Sequence, residues 1–348
     1  MNDHSPAPLT LMAVHAHPDD ECLGTGGVLA RYAAEGVRTA LVTATLGEEG
    51  EIHDPDLTEE EARPRLAEIR KEELRRATEI LQVGAQEFLG YRDSGMAGTP
   101  ANENPASFNK ADREEATERL VRLIRRHRPQ VLATYNADGG YGHPDHIQCH
   151  KITYRAFDAA GDPARYPDAG PAWQPLKLYA TAWSRDHWQA LRAELKRRGI
   201  PWIFEDEDTA SAEGKDEERA EAQQALAAAA NSEDAAHEPG AAEPERERRD
   251  ADEEWGTPDD AITTFVPVGA HWRQPREALR QHRTQFEPDT RFLSLPDDLA
   301  AMMGTTEFFI LLRSRVATTR PEDDLFAGVL ERAAVVEAGV AAAASSAG

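Results

Sequence analysis

Short apolar runs alternate with amphipathic segments over the first 200 residues of the chain. The runs at 9–15 and 131–135 have the length and composition of buried strands, and the segments between such runs carry apolar residues at helical spacing. The predicted strands are 9–15, 39–45, 87–91, 131–135 and 176–183, and the predicted helices are 24–36, 58–83, 112–127, 144–159 and 186–199. Repeated β-α-β units require a mostly parallel sheet with helices on both faces, so we predict a Rossmann-like α/β fold.

The rest of the chain predicts a smaller C-terminal α/β part, with strands at 261–267 and 308–312 and a helix at 275–284. Between the two parts, residues 205–254 hold 19 acidic and 5 basic residues. Such a segment cannot bury enough apolar surface to offset the entropy of ordering it. The predicted organisation is an α/β core at 1–200, a disordered acidic insertion at 205–256, the completion of the same domain at 257–330 and a loose Ala-rich tail at 331–348.

Charge and cysteine content exclude several classes of function. The net charge of −24 argues against nucleic acid or an anionic membrane as a partner, since both require a basic surface. The N-terminus has no basic region, and the apolar run after it is too short for a signal core or a membrane span. The two cysteines, Cys22 and Cys149, form no CxxC pair, which fits a cytoplasmic protein without a disulfide framework. No pattern in the sequence indicates an oligomeric state.

The segment His17-Pro18-Asp19-Asp20-Glu21 directly follows the first predicted strand. Ligands of open α/β sheets bind outside the carboxyl ends of the strands, and His with Asp is a common ligand set for catalytic zinc. His17 and Asp20 are three residues apart and can point to one metal, which leaves Asp19 free to act as a general base. The alternative is that the acidic residues only cap the helix that follows.

A second cluster, His143-Pro144-Asp145-His146, follows the strand at 131–135. One of the two histidines is needed as the third metal ligand. The other can stabilise an oxyanion or protonate a leaving amine, with Asp145 to orient it. Zn²⁺ is the expected ion, and Fe²⁺ could occupy the same ligands.

Polar residues near these clusters are candidates for binding substrate. Tyr141 lies in a glycine-rich segment that could bring its hydroxyl to a substrate carbonyl. Glu48 and Glu51 follow the second strand, and Asp93 follows the third. A solvated loop is the alternative for each of these segments. Among the basic residues, Arg70 is the candidate for binding a polyol. The alternative is an ion pair with Glu73, three positions later on the same predicted helix.

Ala16–Glu21 and His143–His146 together resemble the LmbE-like/PIG-L family of zinc-dependent N-deacetylases. The resemblance covers residues 9–160 and 278–328. It implies the following roles: zinc ligands His17, Asp20 and His146; general base Asp19; oxyanion or amine partner His143, held by Asp145; carbonyl partner Tyr141; and contacts of Arg70 and Asp93 with inositol and glucosamine hydroxyls. The acidic insertion and Cys22, where related enzymes usually have Ser, depart from the family pattern.

The resemblance also implies a substrate class. Segments 45–51, 92–98 and 140–143 resemble members that deacetylate N-acetylglucosaminyl-inositol in mycothiol biosynthesis. Segments 11–15 and 323–328 are more similar to members that hydrolyse mycothiol S-conjugates. We therefore expect zinc-dependent removal of an acetyl group from a small N-acetylated amino sugar, N-acetylglucosaminyl-inositol first. A conjugate amidase and a non-catalytic metal- or sugar-binding protein are the two alternatives.

Overall fold

Seven strands form one sheet in the computed structural model, which describes residues 8–203 and 255–329. The strands are β1 Thr10–His15, β2 Arg38–Thr43, β3 Ala85–Phe88, β4 Val131–Thr134, β5 Lys177–Ala182, β6 Thr264–Pro267 and β7 Thr306–Ser314. The predicted insertion at 205–254 and the predicted tail at 331–348 lie outside the described residues.

The strand order is β3-β2-β1-β4-β5-β7-β6. Strands β1 to β5 pair in parallel, whereas β7 is antiparallel to both β5 and β6. The order runs outward from β1 in one direction and then from β4 in the other, so the two strands flank a crevice at their carboxyl ends. Both predicted site segments begin there, directly after these strands.

Helices cover both faces of the sheet. They are α1 Asp20–Gly24, α2 Gly26–Ala34, α3 Glu59–Ala62, α4 Leu66–Ile80, α5 Arg113–His127, α6 Gly139–Gly142, α7 Pro144–Ala159, α8 Arg185–Arg198, α9 Arg273–Leu279, α10 Arg291–Ser294 and α11 Asp297–Gly304. Alternate residues of β1 enter different cores, because Leu11 packs in a cluster with Leu29 and Met12 in a cluster with Leu120. This two-sided burial confirms the predicted α/β class.

The single helix predicted at 58–83 is wrong. Pro64 lies in a 3-10 turn, Arg63–Arg65, that separates α3 from α4. Proline lacks an amide hydrogen and its ring obstructs the preceding turn, so an α-helix does not continue through it. Helix α11 lies where no helix was predicted.

Carboxylates form two of the contacts that join the C-terminal part to the core. Glu307 on β7 accepts hydrogen bonds from the amides of Gly27 (2.6 Å) and Val28 (2.9 Å) in the first turn of α2. Further along, buried Glu322 accepts from Lys177 Nζ at 2.8 Å and from the Tyr179 hydroxyl at 2.7 Å. Residues at the end of the described chain thus stabilise elements near its beginning.

Glu322→Ala is expected to lower the free energy of unfolding by about 3–5 kcal/mol, because it leaves the Lys177 ammonium buried without its partner. Chemical denaturation measures the change. Glu79→Ala, which removes one of the two carboxylate partners of Arg75 on the exposed face of α4, is the matched control and should cost less than about 0.5 kcal/mol. Equal effects of the two substitutions would contradict the expectation.

Candidate metal centre

Both predicted clusters lie at the carboxyl-terminal edge of the sheet. His17 follows β1 by two residues, and Asp20 begins α1. His143 caps the N-terminus of α7, and His146 lies in the first turn of that helix. Because β1 and β4 are neighbours, these four side chains meet in the crevice between the strand ends.

Three of these side chains present donor atoms at nearly equal separations. His17 Nδ1 lies 3.3 Å from Asp20 Oδ2 and 3.3 Å from His146 Nε2, and His146 Nε2 lies 3.4 Å from Asp20 Oδ1. Ligands about 2.0–2.1 Å from a tetrahedral zinc ion are about 3.4 Å from one another. The separations therefore match those within a zinc site with three protein ligands, with Asp20 facing one imidazole through each of its two oxygens.

The opposite nitrogen of each imidazole is held by a fixed acceptor. His146 Nδ1 lies 3.0 Å from the carbonyl oxygen of Gly139, which can only accept, so the lone pair of His146 is on Nε2. His17 Nε2 lies 3.3 Å from Asp145 Oδ2 and 3.6 Å from Asp93 Oδ1. Such partners fix the orientation of ligand rings and raise their basicity.

Charge interactions within the cluster favour the ionised forms of two of these groups. Burial lowers the pKa of His17, but Asp93 and Asp145 outweigh burial and hold it well above its usual value. Burial raises the pKa of Asp20, but His146 and His17 outweigh burial and hold it well below its usual value. The crevice is thus a concentrated site of paired charge.

Tyr135 supports two members of the donor set. The sequence pattern predicted it only as the last residue of a strand. Its hydroxyl donates to Asp20 Oδ2 at 2.7 Å and accepts from the Ala16 amide at 2.8 Å. Its ring stacks on His146, with centroids 4.1 Å apart and planes 14° apart. A tyrosine at the carboxyl end of a buried strand was the available signal.

Asp19 lies beside the donor set with its carboxylate turned to Arg70. The distance from Asp19 Oδ2 to Arg70 Nη2 is 3.2 Å. Burial raises the pKa of Asp19 to about 6, while Arg70 lowers it and Asp20 raises it. A carboxylate with this pKa can accept a proton near neutral pH.

Arg70 is buried, with 2% of its surface exposed, and its guanidinium also donates to the carbonyl oxygens of Gly47 (2.8 Å) and Pro18 (2.6 Å). The alternative pair with Glu73 does not form through the carboxylate of Glu73, which accepts instead from the amide and hydroxyl of Thr284. The structure therefore shows Arg70 fixing Asp19 and the loop after β2.

His143 lies next to the donor set, with its ring centroid 4.5 Å from that of His17. Its Nδ1 accepts from the backbone amide of Asp145 at 3.1 Å, so the neutral ring carries its proton on Nε2. The carboxylate of Asp145 binds Ser94 and His17 rather than His143. Burial, followed by His17 and His146, lowers the pKa of His143.

Tyr141 is 51% exposed and lies at the mouth of the crevice, with its ring 5.0 Å from that of His146. It follows two glycines with positive φ. At Gly139 (φ 66°) an added Cβ would lie 2.8 Å from His146 Cβ and 2.9 Å from the Ile147 amide. Glycine at 139 therefore allows the turn that both holds His146 and presents Tyr141.

The loops after β2 and β3 are joined at the rim of the crevice. Glu48 accepts from the Asp93 amide, Asp93 accepts from the Glu49 amide, each at 3.1 Å, and Arg92 pairs with Glu49. Asp93 is buried, whereas Glu51 is exposed and lies further out. Of the predicted substrate residues on these two loops, Asp93 lies next to the donor set, 3.6 Å from His17 Nε2, and Glu48 is hydrogen-bonded to the Asp93 amide.

Comparisons with known proteins show which family the chain belongs to. The family described as PIG-L, GlcNAc-PI de-N-acetylase, matches residues 12–157. A 1D-myo-inositol 2-acetamido-2-deoxy-alpha-D-glucopyranoside deacetylase of Geodermatophilus obscurus is 40% identical over 92% of this chain and 97% of its own length. The chain belongs to the PIG-L family. A deacetylase of the same name from Thermobifida fusca is also 40% identical, over 91% of this chain and 98% of its own.

Another PIG-L relative has a different name. The mycothiol S-conjugate amidase of Streptomyces coelicolor is 37% identical over 93% of this chain and 99% of its own. Among solved structures, N,N'-diacetylchitobiose deacetylase from Pyrococcus horikoshii superposes with a TM-score of 0.52, at 16% identity, over 87% of this chain and 83% of that one, which supports the shared fold. Among residues 8–203 and 255–329, no helix is both long and apolar enough to cross a bilayer.

Tyr135→Phe is expected to weaken zinc binding about 10- to 100-fold, because it removes the hydrogen bond to Asp20 while keeping the ring stacked on His146. Competition with a chromophoric chelator measures the affinity. Tyr154→Phe, on the same face of the sheet but bonded to Arg313, is the control and should leave the affinity unchanged. An unchanged affinity in Tyr135→Phe would show that this hydroxyl does not support the ligand.

Proposed function

We propose that this PIG-L family member is a zinc-dependent hydrolase that removes the acetyl group from N-acetylglucosaminyl-inositol. The observation that carries the proposal is the donor triad of His17, Asp20 and His146 at tetrahedral spacing, with a carboxylate and an imidazole N–H on either side. A fold that only stored a metal would not need those two flanking groups.

Zinc held by these three residues would supply Lewis acidity, which makes water a better nucleophile and an amide carbonyl a better electrophile. Asp19 would take the proton from the attacking water, because its raised pKa keeps it basic near neutrality and Arg70 fixes its orientation. His143 would donate its Nε2 proton in a hydrogen bond to the developing oxyanion, as its Nδ1 is already occupied. Tyr141, half-exposed at the mouth, would contact the same carbonyl from the other direction.

The substrate assignment rests on the two relatives that are 40% identical to this chain and are both named as deacetylases of the acetamido-glucosyl inositol. Asp93 and Glu48, at the rim, are the groups we propose to meet sugar or inositol hydroxyls. Arg70 would act mainly by holding Asp19 and the loop, since its guanidinium already donates to Asp19 and to the carbonyl oxygens of Pro18 and Gly47. Fe²⁺ fits the same ligand types. We place the reaction in the cytoplasm, in keeping with Cys22 and Cys149, which are both free thiols.

Amide hydrolysis of a mycothiol S-conjugate is the second candidate, favoured by the 37% identical amidase. The purified, zinc-loaded enzyme should release primary amine from N-acetylglucosaminyl-inositol at a kcat/KM at least about 10-fold above that for a mycothiol S-conjugate, a difference that one or two extra pocket contacts can produce. The reverse preference would make the chain a conjugate amidase. Release from neither compound would reject both assignments.

Asp19→Asn is expected to keep zinc at wild-type stoichiometry and to lose about 10²–10⁴-fold in kcat, because the amide cannot accept the proton. Metal analysis and amine release on the same preparation separate the two effects. His127→Asn, at the end of α5 where the ring pairs with Glu87, is a control outside the crevice and should keep wild-type kcat. If Asp19→Asn retained a near wild-type rate, Asp19 would not be the base.

A further inference from the structure

We propose that Glu21 and His282 are positioning residues, which hold the backbone of Asp19 in the conformation that aims its carboxylate into the crevice. The inference rests on the proposed function, in which Asp19 is the general base. Among the described residues, neither side chain has a hydrogen bond or an ion pair with His17, Asp20 or His146. They act on Asp19 through hydrogen bonds that begin at its backbone amide.

The backbone of Asp19 is in a conformation that an L-residue does not adopt freely. Its φ is 120° and its ψ is −31°. A residue other than glycine is strained at this positive φ, and the conformation persists only where the surrounding structure holds it. On one side, the carbonyl oxygen of Asp19 accepts from the Cys22 amide at 2.9 Å. This hydrogen bond lies in the first turn of α1.

On the other side, the amide of Asp19 donates to Glu21 Oε2 at 2.9 Å. The second oxygen of Glu21 is occupied as well, because Oε1 lies 2.8 Å from His282 Nε2 and 3.0 Å from Cys22 Sγ. Glu21 and His282 are each fully buried. The carboxylate therefore bridges the strained residue and an imidazole that comes from 261 positions away.

His282 is itself firmly placed. It follows α9, and Thr284, two residues later, is bonded to neighbouring elements: its hydroxyl donates to Glu73 on α4, and its carbonyl oxygen accepts from the His53 amide at 2.8 Å. A shift of the carboxylate of Glu21 would require this whole segment to move. The C-terminal part of the chain thus fixes the base in the N-terminal part.

The atoms of Glu21, Cys22 and His282 lie close enough together to suggest a second metal site. The separation of 2.8 Å between Glu21 Oε1 and His282 Nε2 is that of a direct hydrogen bond. It is shorter than the 3.3–3.4 Å between the donors of the main cluster. The geometry points to a positioning pair rather than to two ligands of one ion.

Two substitutions at one position test the proposal. Glu21→Leu removes the acceptor of the Asp19 amide. Glu21→Gln keeps an oxygen for that amide, and its NH₂ group can donate to His282 Nε2 once the imidazole proton moves to Nδ1. Because misplacing a catalytic group by about 1 Å can cost about 100-fold, Glu21→Leu should lower kcat about 100-fold with KM and zinc content unchanged. Glu21→Gln should recover kcat to within about 5-fold of wild type, because its side-chain oxygen still accepts from the Asp19 amide and holds that backbone in place. A loss of zinc that accounts for the lost rate, or a Gln variant as slow as the Leu variant, would overturn the proposal.

A double-mutant cycle supplies a readout that general damage to the fold would not produce. In the Asp19→Asn background, Glu21→Leu should change the residual rate by less than about 2-fold, because residues that act as a unit are not additive. A further 100-fold loss there would show that Glu21 acts independently of Asp19. A wild-type rate for Asp19→Asn alone would instead reject Asp19 as the base, the part of the proposed function on which this inference rests, so the two failures are distinguishable.

His282→Leu and His282→Gln repeat the comparison from the other end of the bridge and replace the first pair if Glu21→Leu does not fold. The same split is expected, with the smaller loss in the Gln variant. Glu322→Gln, which changes a buried carboxylate at the far end of β5, is the matched control. Its kcat and KM should equal those of the wild type below its unfolding temperature, and a comparable loss of kcat in this control would overturn the proposal.

Discussion

The parallel pairing of β1 with β4 is the constraint on which the candidate site depends. The register places Leu11 opposite Val131 and Ala13 opposite Ala133, so both strands end at the same edge of the sheet. His17 lies two residues after β1, and His146 lies in the first turn of α7, which follows β4 in the chain. A shift of one residue in this register would turn the side chains of either strand to the opposite face and separate the donors. The burial of β1 on both faces opposes such a shift, because its two sets of side chains fill two different cores.

Hydrogen bonds from neighbouring loops keep the concentrated charge of the crevice in a fixed arrangement. Asp145 accepts from the amide and hydroxyl of Ser94, and Asp93 accepts from the amides of Glu49 and Gly95. Buried carboxylates without such donors would take up protons or draw in water. The loops after β2 and β3 therefore contribute to the site as supports for its acids. The donor triad has the separations of a zinc site because each ligand is held by a hydrogen bond to a residue outside the triad.

The sequence was sufficient for what depends on local spacing and sheet topology. It placed His17, Asp20 and His146 in one crevice and predicted the class of fold, because short motifs after buried strands leave few alternatives. It could not tell which imidazole the carboxylate of Asp145 would face, since that depends on the fold of the loop bearing Ser94. The contact of His282 with Glu21 could not be predicted, because nothing in the spacing of residues relates the two.

The order in which the chain is synthesised determines when the contacts of the C-terminal part can form. A ribosome completes the three donor residues long before it reaches His282 or Glu307. Until then, the amides at the start of α2 lack the carboxylate that accepts from them, and Glu21 lacks its imidazole. The three metal donors are thus synthesised before the last strand. Completion of the donor set and completion of the contacts that hold Asp19 are therefore separate events in the synthesis of this chain.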